Sequence, residues 1–413
     1  METVRRKNIE IPIKYETQVL VVGGGPAGFS AAVTAAREGR DVLLVERGGY
    51  LGGMWTLGLV SPFFDNAGKG GLNQEIRRKL IQNNAWGGFN EISFDHCQMI
   101  LILDEIAQEA GVKMLLYTLA EEAIVDNGKV QGVIAVTKNG PVAIKADIVI
   151  DCSGDGTIAA DAGAEFKLGR DKDNLTQPMT MMFKVGGLKK SYDKKDILGW
   201  YKILAERFPE SELLSKIPFN YPAIIKLPRK GEALFQWTHL KFRNGIDPDD
   251  LTAATLEGRR QVKYALEYFK SISDILGDVY LLGLPEVIGV RDTRRIIGDY
   301  YISDEDVTSG KKFDDAVCKV NFGIDIHEPD KKSQTVVGHN GFYIPYRSLI
   351  PAGFDNILVA GRCISGSWLA HAAYRVTGNC VATGEAAGLA AAISCVENCS
   401  LRKVPNKKLC QNL

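Results

Sequence analysis

Gly23, Gly25 and Gly28 have the spacing of a bend that holds a diphosphate. The run 18–22 before them is a β-branched strand, and the alanine-rich run after them, to Arg37, is helical. The first glycine permits a tight turn, Gly25 bares the backbone to a pyrophosphate, and Gly28 lets helix touch strand. Pro26 and Ala27 open a helix whose free N–H groups and dipole face the phosphates. Gly39 ends that helix, and 41–45 reads as a second parallel strand that stops at Glu46, eighteen residues past Gly28. A carboxylate there accepts both hydrogen bonds of an adenosine ribose and repels a 2′-phosphate. The set predicts a dinucleotide site.

Further blocks carry a resemblance. Residues 47–56 are glycine-dense where the chain leaves the second strand. Turn signals at 126–128 and 138–140 divide three short alternating strands between Glu122 and Ile144, a predicted meander. A buried-type strand over 146–151 follows and ends at Ser153 and Gly154, and another over 356–360 stops at Gly361 and Arg362, before a small-residue helix over 377–394. In these blocks the chain resembles the broad family of FAD-dependent oxidoreductases, flavoproteins with two dinucleotide-binding domains, and is similar to fumarate reductase flavoproteins and the flavin subunit of heterodisulfide reductase. The likeness covers the first 170 or so residues and the last 75 or so.

The resemblance implies FAD as cofactor, held by Gly23, Gly25, Pro26, Ala27, Gly28, Glu46, Arg47, Gly52, Gly53, Met54, Trp55, Ala120, Ser153, Gly154, Gly361, Arg362, Gly378 and Asn379. Many such proteins have Gly-Asp where this chain has Gly361-Arg362, so the acidic contact to the ribityl chain is missing from that turn. The segment 361–379 would pass the flavin ring, which makes His371 the acid/base candidate, against a structural histidine that bonds backbone. Arg375, four residues on, suits a substrate carboxylate or an internal ion pair. Arg291, Arg294 and Arg295 offer guanidinium groups for an anion, Arg295 foremost, unless Asp292 and Asp299 neutralise them in a structural network. Trp237 and His239 either line the cleft or belong to a half-buried strand, and Cys363 has no CxxC partner for dithiol chemistry.

These residues need elements to hold them. Leu72, Ile76 and Leu80 recur at helical spacing, and Asp95 with Gln98 forms a capping pattern before a helix that ends near Gly111. From 166 to 338 the pattern changes to strand-like pieces and one long helix over 252–276, then returns to the first pattern. The expected architecture is α/β: a Rossmann-like FAD-binding domain with a β-meander, discontinuous over 1–165 and 339–413, and an inserted α+β substrate domain over 166–338. The tail places Leu409 and Leu413 at helical spacing.

Composition bounds the partners. Fifty basic and fifty acidic residues leave no field that would draw nucleic acid or anionic lipid, and no apolar run reaches membrane-spanning length. Eight scattered cysteines without a CxxC pair and five histidines without a tight cluster point to a reduced, metal-free protein of the cytoplasm. The expected partners are a small-molecule substrate, anionic in the Arg375 reading, and an unspecified electron donor or acceptor, with room for a homo-oligomer. No second glycine bend marks an NAD(P)H domain. The expected function is hydride transfer between flavin N5 and a small organic substrate bound between the two domains. The alternatives are a thiazole-synthase-like enzyme that consumes NAD, a nucleic-acid-modifying flavoprotein, which the neutral charge opposes, and a flavin-binding subunit without turnover.

Overall fold

A computed structural model describes residues 10–189, 216, 218, 223–331 and 334–409. Strand β1 (Ile13–Val22) ends in the fully buried Val19, Leu20 and Val21 and runs into α1 (Pro26–Arg37). Strand β2 (Val42–Val45) is buried along its whole length, as a parallel strand covered on both faces must be. Helix α2 (Gly71–Gln82) buries Leu72, Ile76 and Leu80 on one stripe. Helix α3 (His96–Glu109) starts at Asp95, whose Oδ1 accepts from the N–H groups of Cys97 at 2.9 Å and Gln98 at 3.2 Å.

After β3 (Lys113–Leu115) come β4 (Leu119–Asp126), β5 (Lys129–Thr137) and β6 (Gly140–Asp151), and the sheet order is β3-β2-β1-β6-β5-β4. The meander is present, but its third strand and the buried strand after it are one. No glycine or proline separates Ile144 from Ile148, so β6 pairs antiparallel with β5 over its first half and parallel with β1 from Ala143 on. Helix α4 (Thr157–Asp161) follows.

Strand β7 (Phe166–Leu168) opens the middle of the chain. Strands β8 (Phe183–Gly186), β9 (Ala223–Lys226), β10 (Ala233–Gln236) and β11 (Tyr280–Gly283) form a second, antiparallel sheet in the order β11-β8-β10-β9. Against it lies α5 (Pro248–Ser271), which starts earlier than its apolar pattern because Asp247 caps it, accepting from Asp250 N–H at 2.9 Å, and Pro248 opens it. It breaks at Ile272 before α6 (Ser273–Leu276). Phe183, Phe235, Trp237, Tyr268 and Phe269 fill a core of their own here.

The remaining part of the middle joins the first core instead. Strands β12 (Arg294–Ile296), β13 (Ala316–Val320) and β14 (Ile324–His327), with α7 (Asp304–Ser309), contribute Ile296, Val307, Val317, Val320 and Ile324 to it. Strand β15 (Gln334–Val337) pairs with β14, and β16 (Phe342–Pro345) with β13. Strand β17 (Ile357–Val359) returns to the large sheet and pairs parallel with the end of β6, on the edge that β5 has left. Helices α8 (Trp368–Tyr374) and α9 (Thr377–Glu397) follow. Helix α9 is long and apolar enough to cross a membrane, yet 78% of its apolar window is buried inside the protein, where it packs on α1 as a core helix. Last is α10 (Asn406–Leu409), which buries Leu409; Leu413 lies outside the described residues.

Candidate cofactor and active site

The carboxyl ends of β1, β2, β6 and β17, parallel neighbours in one sheet, all deliver loops to the same side. Open α/β sheets bind ligands in the crevice beyond those ends. A cavity of about 490 Å³ lies there, lined from this side by Gly23, Gly25, Pro26, Ala27, Glu46, Arg47, Gly53, Met54, Ser153, Gly154, Gly361 and Arg362, all expected at the cofactor. The opposite wall includes Thr180, Met182, Ile225, Gln236 and Thr255 from the second unit.

The residues present fit a dinucleotide. No side chain caps α1, and a Cβ built on Gly25 would meet nothing within 4 Å, so bare backbone at a helix N-terminus faces open space. Glu46 binds both glycine loops: Oε2 accepts from Gly24 N–H and Oε1 from Gly48 N–H, each at 2.7 Å. Each oxygen keeps a lone pair for a ribose hydroxyl.

Arg362 at the Gly361 turn pairs with an acid from the loop after β6. Arg362 donates Nε–H to Gly154 O at 2.8 Å, Nη2–H to Asp155 Oδ1 at 2.5 Å and Nη1–H to the Val290 carbonyl. Asp155, which also accepts from Thr293 Oγ1 at 2.7 Å, lines the cavity, so the β6 and β17 turns together present an ion pair to it.

Six expected cofactor contacts stand behind the cavity wall rather than in it. A Cβ on Gly28 would sit 1.8 Å from Gly23 O, so this glycine packs helix on strand. Gly52 donates N–H to Gly24 O at 2.7 Å, and Trp55 is a core side chain, edge-on to Phe63 at 4.8 Å. Ala120 is buried in β4, Gly378 passes close to the carbonyls of Phe64 and Asp65, and Asn379 is buried with its amide aimed at Ala373 O, 3.4 Å away.

Two catalytic expectations need correcting. His371 is fully buried in α8, outside the cavity wall, and among the described residues neither ring nitrogen has a hydrogen-bond partner. Burial, then the charges of Arg295 and Arg375, push its pKa well below the ordinary value, which disfavours the imidazolium form. The helix turned its imidazole inward, against Tyr374 at 5.5 Å. Arg295 is also fully buried; its donors go to Gly366 O at 3.0 Å, Gly169 O at 2.8 Å and Asp292 Oδ1 at 3.2 Å, a structural network. Burial likewise pushes the Cys363 thiol well up, away from thiolate chemistry.

Arg375 does line the cavity, with Arg291, Asp325 and His327. Arg375 Nη2 donates to Asp325 O at 3.0 Å and lies 3.4 Å from Asp325 Oδ2. Arg291 Nη1 donates to Pro178 O at 2.5 Å and Thr180 Oγ1 at 2.6 Å, neither of which carries charge. At this wall Arg375 therefore pairs with Asp325, while the hydrogen bonds of Arg291 go to uncharged groups. Asp325 and His327, alternate residues of β14 and so on one face, were missed; the sequence signal was that i, i+2 pairing on a strand. Asp95, His96 and Cys97 bring ligand-type atoms within 4.8 Å of one another, but Asp95 already caps α3 and pairs with Arg229 at 3.2 Å.

Residues 18–413 match the family model described as FAD-dependent oxidoreductase. The chain belongs to that family. It is 31% identical over 170 residues to a thiamine thiazole synthase of Methanococcus aeolicus, a match covering 39% of this chain and 61% of that one. It is 28% identical over 179 residues to a digeranylgeranylglycerophospholipid reductase of Methanocella arvoryzae, covering 38% of this chain and 42% of the relative. The chain thus spans less than two thirds of the length of these curated relatives. Among solved structures, the flavin-dependent brominase Bmp2 superposes with a TM-score of 0.52 at 13% identity, over 94% of this chain and 81% of that one, a likeness of fold. FAD is accordingly the cofactor of this member of the family.

Proposed function

We propose that this flavoprotein exchanges a hydride with a small organic substrate that carries an anionic group, bound between the FAD-binding unit and the part of the chain between 166 and 338, in the cytoplasm. FAD supplies the hydride chemistry at its N5. The observation that carries the reading is the cavity wall where Arg291 and Arg375 outnumber Asp325, in a pocket that also holds the glycine bend and Glu46. The guanidinium groups orient the anion, and Met54, Leu57, Val60, Phe64 and Ile288 keep water from the reacting face. The 31% identity to a thiamine thiazole synthase over 170 residues favours a second reading, in which NAD is bound and consumed.

Anaerobic mixing with amino-, hydroxy- and unsaturated carboxylates, each beside its uncharged amide, tests the proposal. The carboxylates should bleach the flavin and the amides should not, and Arg375→Gln should keep its FAD while needing roughly tenfold more substrate, the loss of about one charge-assisted hydrogen bond. Equal bleaching by amides would refute the anionic substrate. NAD or a product of NAD in the isolated protein would favour the second reading.

A further inference from the structure

Two histidines lie in a row at the same wall. His239 follows β10, and His327 ends β14. His239 Nδ1 is 2.9 Å from the Thr238 carbonyl, His239 Nε2 is 3.0 Å from His327 Nδ1, and His327 Nε2 is 3.3 Å from Asp325 Oδ2. Their backbones are pinned: His239 N–H donates to Gln261 Oε1 at 3.0 Å and His327 N–H to Gln177 Oε1 at 3.1 Å. Both rings are buried, but His327 borders the cavity.

Counting protons along the row exposes a shortage. Each end is an acceptor, a carbonyl at one and a carboxylate at the other. Three contacts require three N–H protons, and two neutral imidazoles bring two. In the neutral pair, one contact always sets a ring lone pair against another lone pair or against the carboxylate. The row has a place for one more proton.

The charges around it keep that place empty. Asp325 faces His327 from its own strand, Arg291 from the loop after β11, Arg375 from the end of α8 and His239 from the segment after β10, where Lys241 in turn acts on His239. Burial first, then Arg291, hold His327 down to about 4, against the pull of Asp325. Asp325, bonded to His327 and beside Arg375 and Arg291, overcomes its own burial and is held down to about 2, so the carboxylate does not carry the proton either. An anion on the two guanidinium groups cancels the repulsion that excludes it.

We propose that docking of the substrate's anionic group against Arg291 and Arg375 draws one proton from solvent onto His327, so that the site takes up a proton only when substrate is present. The incoming proton completes the row: His239 Nδ1–H to Thr238 O, one proton shared between His239 Nε2 and His327 Nδ1, and His327 Nε2–H to Asp325. This rests on the reading of the cavity as the site of an anionic substrate.

The test is calorimetric titration of the FAD-loaded full chain with acetate, benzoate and nitrate, in two buffers of different ionisation enthalpy, above about pH 6, where none of these anions titrates. Uptake near one proton per anion is expected, with affinity falling about tenfold for each unit rise in pH. His327→Gln should still bind the anions but with a flat pH dependence and no uptake. Histidine ¹⁵N signals give a second readout should that variant fold poorly: in the unaltered protein the His327 ring should move to the imidazolium position when anion is added. Binding without uptake, uptake that survives His327→Gln, or failure of all three anions to bind would each overturn the inference. The flavin spectrum of the same sample separates the two levels. A colourless protein breaks the proposed function, whereas a yellow one without proton coupling breaks only this step.

Discussion

Glu46 shows how one side chain serves two purposes, since the carboxylate placed for a ribose also ties Gly24 to Gly48. Glutamine at 46 offers one acceptor oxygen where two are used, so Glu46→Gln should lose a charge-assisted bond of about 1.5–3 kcal/mol, and FAD should bind roughly ten- to a hundredfold more weakly. Equilibrium binding of FAD to the stripped variant measures this, and unchanged affinity would remove Glu46 from the cradle. His371 carries the opposite expectation. With both ring nitrogens buried and unbonded, His371→Leu should retain FAD and turnover and melt no lower than the parent, because a buried unpaired polar group costs about 1–3 kcal/mol. A collapse of turnover in a folded, yellow His371→Leu would return the histidine to the chemistry. The sequence placed His371 beside the right loop, but which way a residue points from a seven-residue helix depends on packing that spacing alone does not reveal.

Among the elements, α1 and α9 form the contact on which the cofactor cradle stands, because α1 begins at the glycine bend. A Cβ on Gly384 would lie 2.1 Å from Ala27 O, so Gly384→Val should push α9 off α1, lower the melting temperature by several degrees and release FAD. A variant that melts and binds like the parent would show that the helices separate freely. Much at this scale was legible: the glycine bend, the Asp95 cap and the Leu72, Ile76, Leu80 stripe are local codes, each complete within a dozen residues. What escaped was long-range. The Arg362–Asp155 pair joins residues 207 apart, and His239 meets His327 across 88 residues. Neither has a local signature, and the continuity of β6 was hidden because strand periodicity does not report a change of pairing partner.

At the scale of the whole molecule, the chain closes on itself through Glu385 of α9, whose Oε1 accepts from Leu72 N–H at 2.8 Å across 313 residues. Burial pushes this carboxyl up to about 7 from an ordinary 4.5. The folded state therefore holds a proton there that the unfolded chain has already lost, and stability falls as pH rises from 4.5 to about 7, then levels off. Glu385→Gln keeps an acceptor for Leu72 without the ionisation cost. It should gain on the order of 2–3 kcal/mol over the parent at pH 8 and little below the acid end of the window. Denaturant melts across that range check it, and parallel pH profiles for the two proteins would refute it. The same closure brings β17 and Arg362 back to the glycine bend, so the cofactor cavity exists only in the complete fold. The most direct test of that cavity's role is the identity of the nucleotide released by denaturing the native protein, read by mass and absorption. One FAD per chain, lost in Glu46→Ala, is the predicted result. NAD in its place, or no flavin retained after reconstitution with excess FAD, would contradict it.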